Sequence, residues 1–177
     1  NKIKDLKNLP KLVKDTLLTE GKIQSISGTF TDAKGSMFLG RGTSEPIALV
    51  GALKLKELAC VHAEGYPAGE MKHGPLALIE DGLPVIVIAP KDKYFEKTLS
   101  NMQEVIARGG KILFLTDHKN ELINENIRFG IRVPSVGNML SPILLTIPIQ
   151  LLAYHVALLK NCDIDKPRNL AKSVTVE

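Results

Sequence analysis

Tryptophan is absent from this 177-residue sequence, aromatic residues make up only 5% of it, and cysteine occurs twice, at Cys60 and Cys162. Two cysteines cannot staple a fold of this length. They suit a reducing, cytoplasmic setting in which both remain thiols. Charge of one sign is also scarce. The net charge is +4 with a pI near 9.0, and most of the excess sits in residues 1–34, where seven lysines face four acids. Residues 160–177 add one further positive charge, and residues 35–159 are neutral. Without a basic stripe interleaved with aromatics, the sequence gives no nucleic-acid surface. The segment Asn1–Pro10 is charged where a secretory leader would be apolar. The absence of an initiator Met suggests a processed or truncated chain. One long uncharged run lies between Arg132 and Lys160. Its core, Met139–Leu159, is long enough to span a bilayer. It also carries Pro142, Thr146, Pro148, Gln150 and His155, so it reads as a buried helix of a globular domain rather than a membrane span.

The remaining composition is that of an ordinary globular chain: 44% hydrophobic, 24% charged, 14 Gly and 10 Pro. The length suits one domain with a sizeable core. Short runs apolar on both faces recur at Ser36–Gly40, Pro84–Ala89, Lys111–Thr116 and Ile127–Val133, as expected for parallel strands covered on both sides. Helical patterns lie between them at Glu45–Ala59, Tyr94–Arg108 and Ser141–Leu159, after a helical lead-in over Leu12–Glu20 and Lys22–Asp32. Asp81-Gly82 reads as a turn into the second strand. This alternation predicts an α/β domain with a doubly wound parallel sheet, whose ligands usually bind beyond the carboxyl ends of the strands.

Four segments carry candidate chemistry. Gly40-Arg41-Gly42-Thr43-Ser44 joins a strand to a helix. Its amides and hydroxyls suit a phosphate, but Glu45 follows in the first helical turn, and the residues alone read as a tight turn capped by Ser44 or Thr43. Lys54 and Glu57 are three apart on one helix face. They read either as a surface ion pair or as a carboxylate base beside a cation. The stretch from His62 to Pro75 holds three Gly and two Pro, which bars a continuous helix or strand. His62, Glu64, Glu70 and His73 are conceivable zinc ligands, yet no standard metal spacing is present and no metal is expected. His118 and His155 read as a surface and a core residue. In the tail, Asp165–Glu177, local physics does not single out Lys172.

Together, GALKLKEL at 51–58, HAEGYPAGEMKHGPLALI at 62–79, PIQLLAYHVALLK at 148–160 and DKPRNLAKSVTVE at 165–177 resemble the glutamine–fructose-6-phosphate aminotransferase family, the glucosamine-6-phosphate synthases. The likeness is to the second sugar-isomerase (SIS) subdomain and runs from about Ser36 to the last residue. It implies a three-layer, flavodoxin-like doubly wound sheet with helices on both faces. It divides the chain into a lead-in at 1–34, the subdomain at 35–162 and a catalytic tail at 163–177.

The resemblance implies that ammonia from glutamine is placed on fructose-6-phosphate and the imine isomerised to glucosamine-6-phosphate, without a cofactor. In that chemistry Lys172 forms a Schiff base with the open-chain carbonyl and Ala171 contacts the substrate. Glu57 moves a proton between C1 and C2, with Lys54 near the developing charge. His73 helps open the sugar ring, reaching a neighbouring subunit's site in a homodimer. The implied partners are the sugar phosphate, a first SIS subdomain and a glutaminase domain. The family's leading cysteine nucleophile and its first SIS subdomain are not in this sequence, and residues 40–44 match the second subdomain's own turn. The isolated chain is expected to fold but not to complete the reaction. The rival reading from another class is a non-catalytic module that senses sugar phosphates on the same fold.

Overall fold

The computed structural model describes residues 2–118, 127 and 129–170. Among these, five strands form one parallel sheet: β1 (Ser36–Gly40), β2 (Ala63–Pro67), β3 (Pro84–Ile88), β4 (Lys111–Thr116) and β5 (Phe129–Arg132). Their order is β2-β1-β3-β4-β5, and every pairing is parallel. The helices are α1 (Lys2–Leu17), α2 (Glu20–Ser27), α3 (Glu45–Ala59), α4 (Phe95–Ile106) and α5 (Ser141–Leu159).

The two-residue period of a strand sends alternate side chains to opposite faces, and here each face has its own core. Phe38, Ile86, Ile88, Leu113 and Leu115 point towards α2, α3 and α5, where they meet Ile23, Leu55, Leu144 and Leu152. Their neighbours Met37, Leu39, Val85, Val87, Ile112 and Phe114 point the other way, onto Phe95, Met102 and Val105 of α4 and onto Met71. The doubly wound sheet with helices on both faces is therefore as expected. Helix α5 is long and apolar enough by composition to cross a membrane, yet half of its most apolar window is buried inside the protein. Its His155 is buried, with Nε2 3.2 Å from Glu20 Oε1 of α2. His118, expected at the surface, is partly buried, and its ring stacks on Phe95 at 4.9 Å.

Three elements differ from the sequence expectation. Helix α1 begins at Lys2 and runs through Pro10. Leu9, Leu12 and Val13 pack against the core, a stripe at helical spacing that holds the helix across the missing N–H. Helix α2 ends at Ser27, and Gly28–Phe30 forms a single 3-10 turn where a longer helix was expected. The third difference is β2. The segment held too rich in Gly and Pro for a strand forms one at Ala63–Pro67, pairing from Ser36↔Ala63 to Gly40↔Pro67. It is the sheet's edge strand, and Pro67 is its last residue, a position where a lost donor is tolerated. Only residues after Pro67 follow the expected irregular path, as 3-10 turns at Ala68–His73 and Pro75–Leu78.

Helix α3 is held close on two sides. A Cβ on Gly65 of β2 would lie 2.9 Å from backbone atoms of Ala48 and Leu49, and one on Gly51 would lie 2.5 Å from the Phe38 ring. The helix ends at Cys60, whose φ of 52° is left-handed and whose N–H donates to the carbonyls of Leu55 and Lys56. Glycine is the usual residue at such a cap.

Gly65→Ala is expected to lower unfolding stability by about 1–3 kcal/mol, since the new methyl meets backbone rather than a yielding side chain; urea denaturation measures it. Cys60→Gly is expected to raise stability by about 0.5–1 kcal/mol, the relief of a left-handed L-residue less the added freedom of the unfolded chain. An unchanged or lowered denaturation midpoint would contradict that account of the cap.

Candidate functional site

The strand order reverses between β1 and β3, so the carboxyl-edge crevice lies where residues 40–44 meet the segment after β3. The Tyr94 side chain lies in that crevice. The Tyr94 ring covers Gly42 so closely that a Cβ there would lie 2.7 Å from it. The Arg41 guanidinium and the Lys93 ammonium stand 5.6 Å and 4.9 Å from the Tyr94 ring centroid. Asp117 ties the neighbouring strand ends together, accepting from Lys91 N–H at 2.7 Å and from the Ser135 hydroxyl at 3.1 Å. The expected hydroxyl cap on α3 is not formed. Ser44 makes no side-chain capping bond, and its buried Oγ has no partner among the described residues. The preceding Gly42–Ser44 turn is 3-10, which leaves Ser44 in helical backbone rather than the extended conformation of a capping residue.

Glu57 lies at the opposite edge. Helix α3 leaves the carboxyl end of β1 and runs back across the sheet. Its last turn therefore reaches the amino ends of β1 and β2, where Ser36 pairs with Ala63. Beside that turn is a groove of about 540 Å³, lined by Leu53, Lys56, Glu57, Cys60, Val61 and His62 on one side and by Arg168, Asn169 and Leu170 on the other. Lys54, one turn before Glu57, donates to Glu57 Oε2 at 2.8 Å, and both side chains are about one-third exposed.

The structure brings Lys54 and Glu57 together but keeps His73 apart from them. His73 is exposed on the 3-10 segment after β2, with Nδ1 2.7 Å from Glu70 Oε2, and it does not line the groove. Lys72 Nζ, 3.0 Å from Glu104 Oε1, pins that segment to α4. Lys172 and Ala171 lie outside the described residues. The four conceivable zinc ligands form two separate pairs, His62 with Glu64 and His73 with Glu70. Among the described residues no three His, Cys, Asp or Glu side chains are arranged to hold a metal.

Sequence reasoning did not foresee Arg168, Asn169 and Leu170 as groove walls. They stand more than a hundred residues from Glu57, and no local pattern announces a contact at that separation. His62 was weighed only as a metal ligand. Its place at the junction of α3 and β2 was the available signal, but β2 itself went unrecognised.

The SIS domain family matches residues 29–160. The glutamine–fructose-6-phosphate aminotransferase (isomerizing) of Bartonella henselae is 52% identical over 176 residues, spanning 99% of this chain and 29% of that protein. Its counterpart from Agrobacterium fabrum is 51% identical over 177 residues, with the same 99% and 29%. The chain thus spans under a third of the length of these curated relatives. The solved C-terminal domain of glucosamine-fructose-6-phosphate aminotransferase from Francisella tularensis is 44% identical, with a TM-score of 0.88 over 92% of this chain and 46% of that one. A glucosamine-6-phosphate deaminase from Thermotoga maritima, 24% identical with a TM-score of 0.64, shares the fold. With this five-stranded parallel sheet and that match across it, the chain belongs to the SIS domain family.

Proposed function

We propose that this chain is the second sugar-isomerase (SIS) subdomain, at the C-terminus, of a glutamine–fructose-6-phosphate aminotransferase, acting with a first SIS subdomain and a glutaminase domain of the same polypeptide. The observation that carries this reading is the groove at Glu57. It joins a carboxylate, the Lys54 cation bonded to it and the Arg168–Leu170 segment that leads into the tail. Lys172 follows Leu170 by two residues, and two residues of chain span at most about 7 Å.

The chemistry follows from these groups. The Lys172 amine adds to the open-chain carbonyl of fructose-6-phosphate and water leaves, giving an imine; ammonia then displaces the lysine. A protonated imine at C2 acidifies the C1–H bond. Glu57 takes that proton and returns it to C2, and the double bond moves from C2–N to C1–O. The Lys54 ammonium stands beside the negative charge that develops on the enediol-like intermediate. Ala171 contacts the substrate beside Lys172. His73, exposed and held by Glu70, assists ring opening in the site of the second subunit of a homodimer. The division into lead-in (1–34), subdomain (35–162) and tail (163–177) belongs to this same reading. The free thiols of Cys60 and Cys162 support a cytoplasmic setting.

Borohydride reduction of the full-length protein with fructose-6-phosphate is expected to leave a stable secondary amine on Lys172, detected as a sugar-phosphate adduct by peptide mass spectrometry. No adduct, together with full activity of Lys172→Ala, would favour a sugar-phosphate sensor instead. Glu57→Gln in the same protein is expected to slow isomerisation by about 10²–10⁴-fold, the range of a positioned acid–base group. An unchanged rate would reduce Glu57 to a surface ion pair.

A further inference from the structure

Nothing in that reaction uses His62, although it lines the same groove as Glu57. Its side chain is 71% exposed, while its backbone is fixed. Its carbonyl accepts from Ser36 N–H at 3.0 Å, which ties it to the first residue of β1. Nε2 faces Glu64 Oε1 at 3.5 Å, and the other Glu64 oxygen accepts from the Tyr66 hydroxyl. That bond, then burial, then the Glu64 charge hold the Tyr66 pKa above its usual value, so Tyr66 keeps its proton and its grip on Glu64 at neutral pH. A carboxylate at Nε2 favours the tautomer protonated there and leaves Nδ1 with its lone pair. Nδ1 has no partner among the described residues.

We infer that His62 is the second acid–base group of the groove, oriented by Glu64, with Tyr66 as the positioning residue behind Glu64. The inference rests on the isomerase reading above. When Glu57 has moved the proton from C1 to C2, the positive charge that entered on the imine lies on the O1–H group of the nascent aldehyde. That O1 proton must leave for C1=O to form. Nδ1 of His62 accepts it, and the resulting imidazolium, next to the Glu64 carboxylate, releases it to solvent. The other ionisable groups around His62 are Lys56, Glu57, Cys60 and Arg168 on the groove side, and Lys34 and Glu80 in the adjoining hollow. With Glu57 already engaged, an imidazole is the side chain of the groove that can both accept and donate a proton through its two ring nitrogens. The 3.5 Å approach to Glu64 is the loose geometry common before substrate tightens a catalytic pair.

Steady-state isomerisation by the full-length protein, followed across pH with Glu57→Gln, His62→Gln, Glu64→Gln and Tyr66→Phe, tests this. His62→Gln is expected to lower kcat about 10²-fold with KM near wild type, and to remove the acid limb of the kcat profile. Glu64→Gln is expected to lower kcat by about 10-fold with KM near wild type, because the imidazole loses the group that orients it. Tyr66→Phe is expected to lower it in the same way by less. A wild-type kcat and pH profile in His62→Gln, with Glu57→Gln slowed, would overturn the role of His62 alone. An unimpaired Glu57→Gln would overturn the isomerase reading and with it this inference, so the two failures are told apart. A lowered kcat in His62→Gln whose acid limb stays in place would also overturn the proposal, since a structural role moves no limb.

Discussion

Helix α3 lies against strand β2 so closely that a methyl group at Gly65 would stand 2.9 Å from the backbone of Ala48 and Leu49. The groove depends on that approach. The helix is gripped from below by Phe38 and beside Gly51 by Ile149 of α5, so its direction is fixed by packing at close-packed density rather than by its own propensity. Once the direction is fixed, the last turn must deliver Glu57 to the amino edge of the sheet. The left-handed Cys60 then reverses the chain so that Val61 and His62 form the near wall of the groove. Each later feature of the site, including the approach of residues 168–170, is built onto that turn.

The two edges of the sheet are packed differently. At the carboxyl edge, where open α/β sheets usually take ligands, Tyr94 sits on Gly42 and Asp117 bonds across to Lys91 and Ser135. Cations are present there, but two of them, Arg41 and Lys93, lie over an aromatic face. At the amino edge the charges are only partly buried and the groove is open. An exposed pair such as Lys54–Glu57 contributes little to stability. The pair does hold a carboxylate at a defined place beside a cation, the feature on which the proposed function rests.

Much of the fold was legible because strands buried on both faces read as short continuous apolar runs, and β1, β3 and β4 are of that kind. Strand β2 was not legible. As an edge strand beside a close-packed helix it carries Gly65 and Pro67, residues that ordinarily signal a break. Helix α1 was read short because Pro10 is a strong local signal against a helix, and the stripe that overrides it acts only when α5 is there to receive it. For the site, Lys54 and Glu57 shared a helix face in the sequence, but nothing local chose between a surface pair and a base. His62 and Glu64 are two apart in the chain, and their pairing could be expected only once extended backbone was known to run from His62 into β2.

The sequence by itself determined the α/β alternation, the helix that carries Glu57 and the family motifs from GALKLKEL to the tail, because these rest on periodicity and on local strings. Only the tertiary structure decided which edge of the sheet Glu57 faces, that Arg168–Leu170 closes over it and that His62 joins it while His73 does not. Those outcomes depend on the path of α3 across the sheet and on contacts between segments a hundred residues apart. Packing sets both, and neither is written in any local pattern.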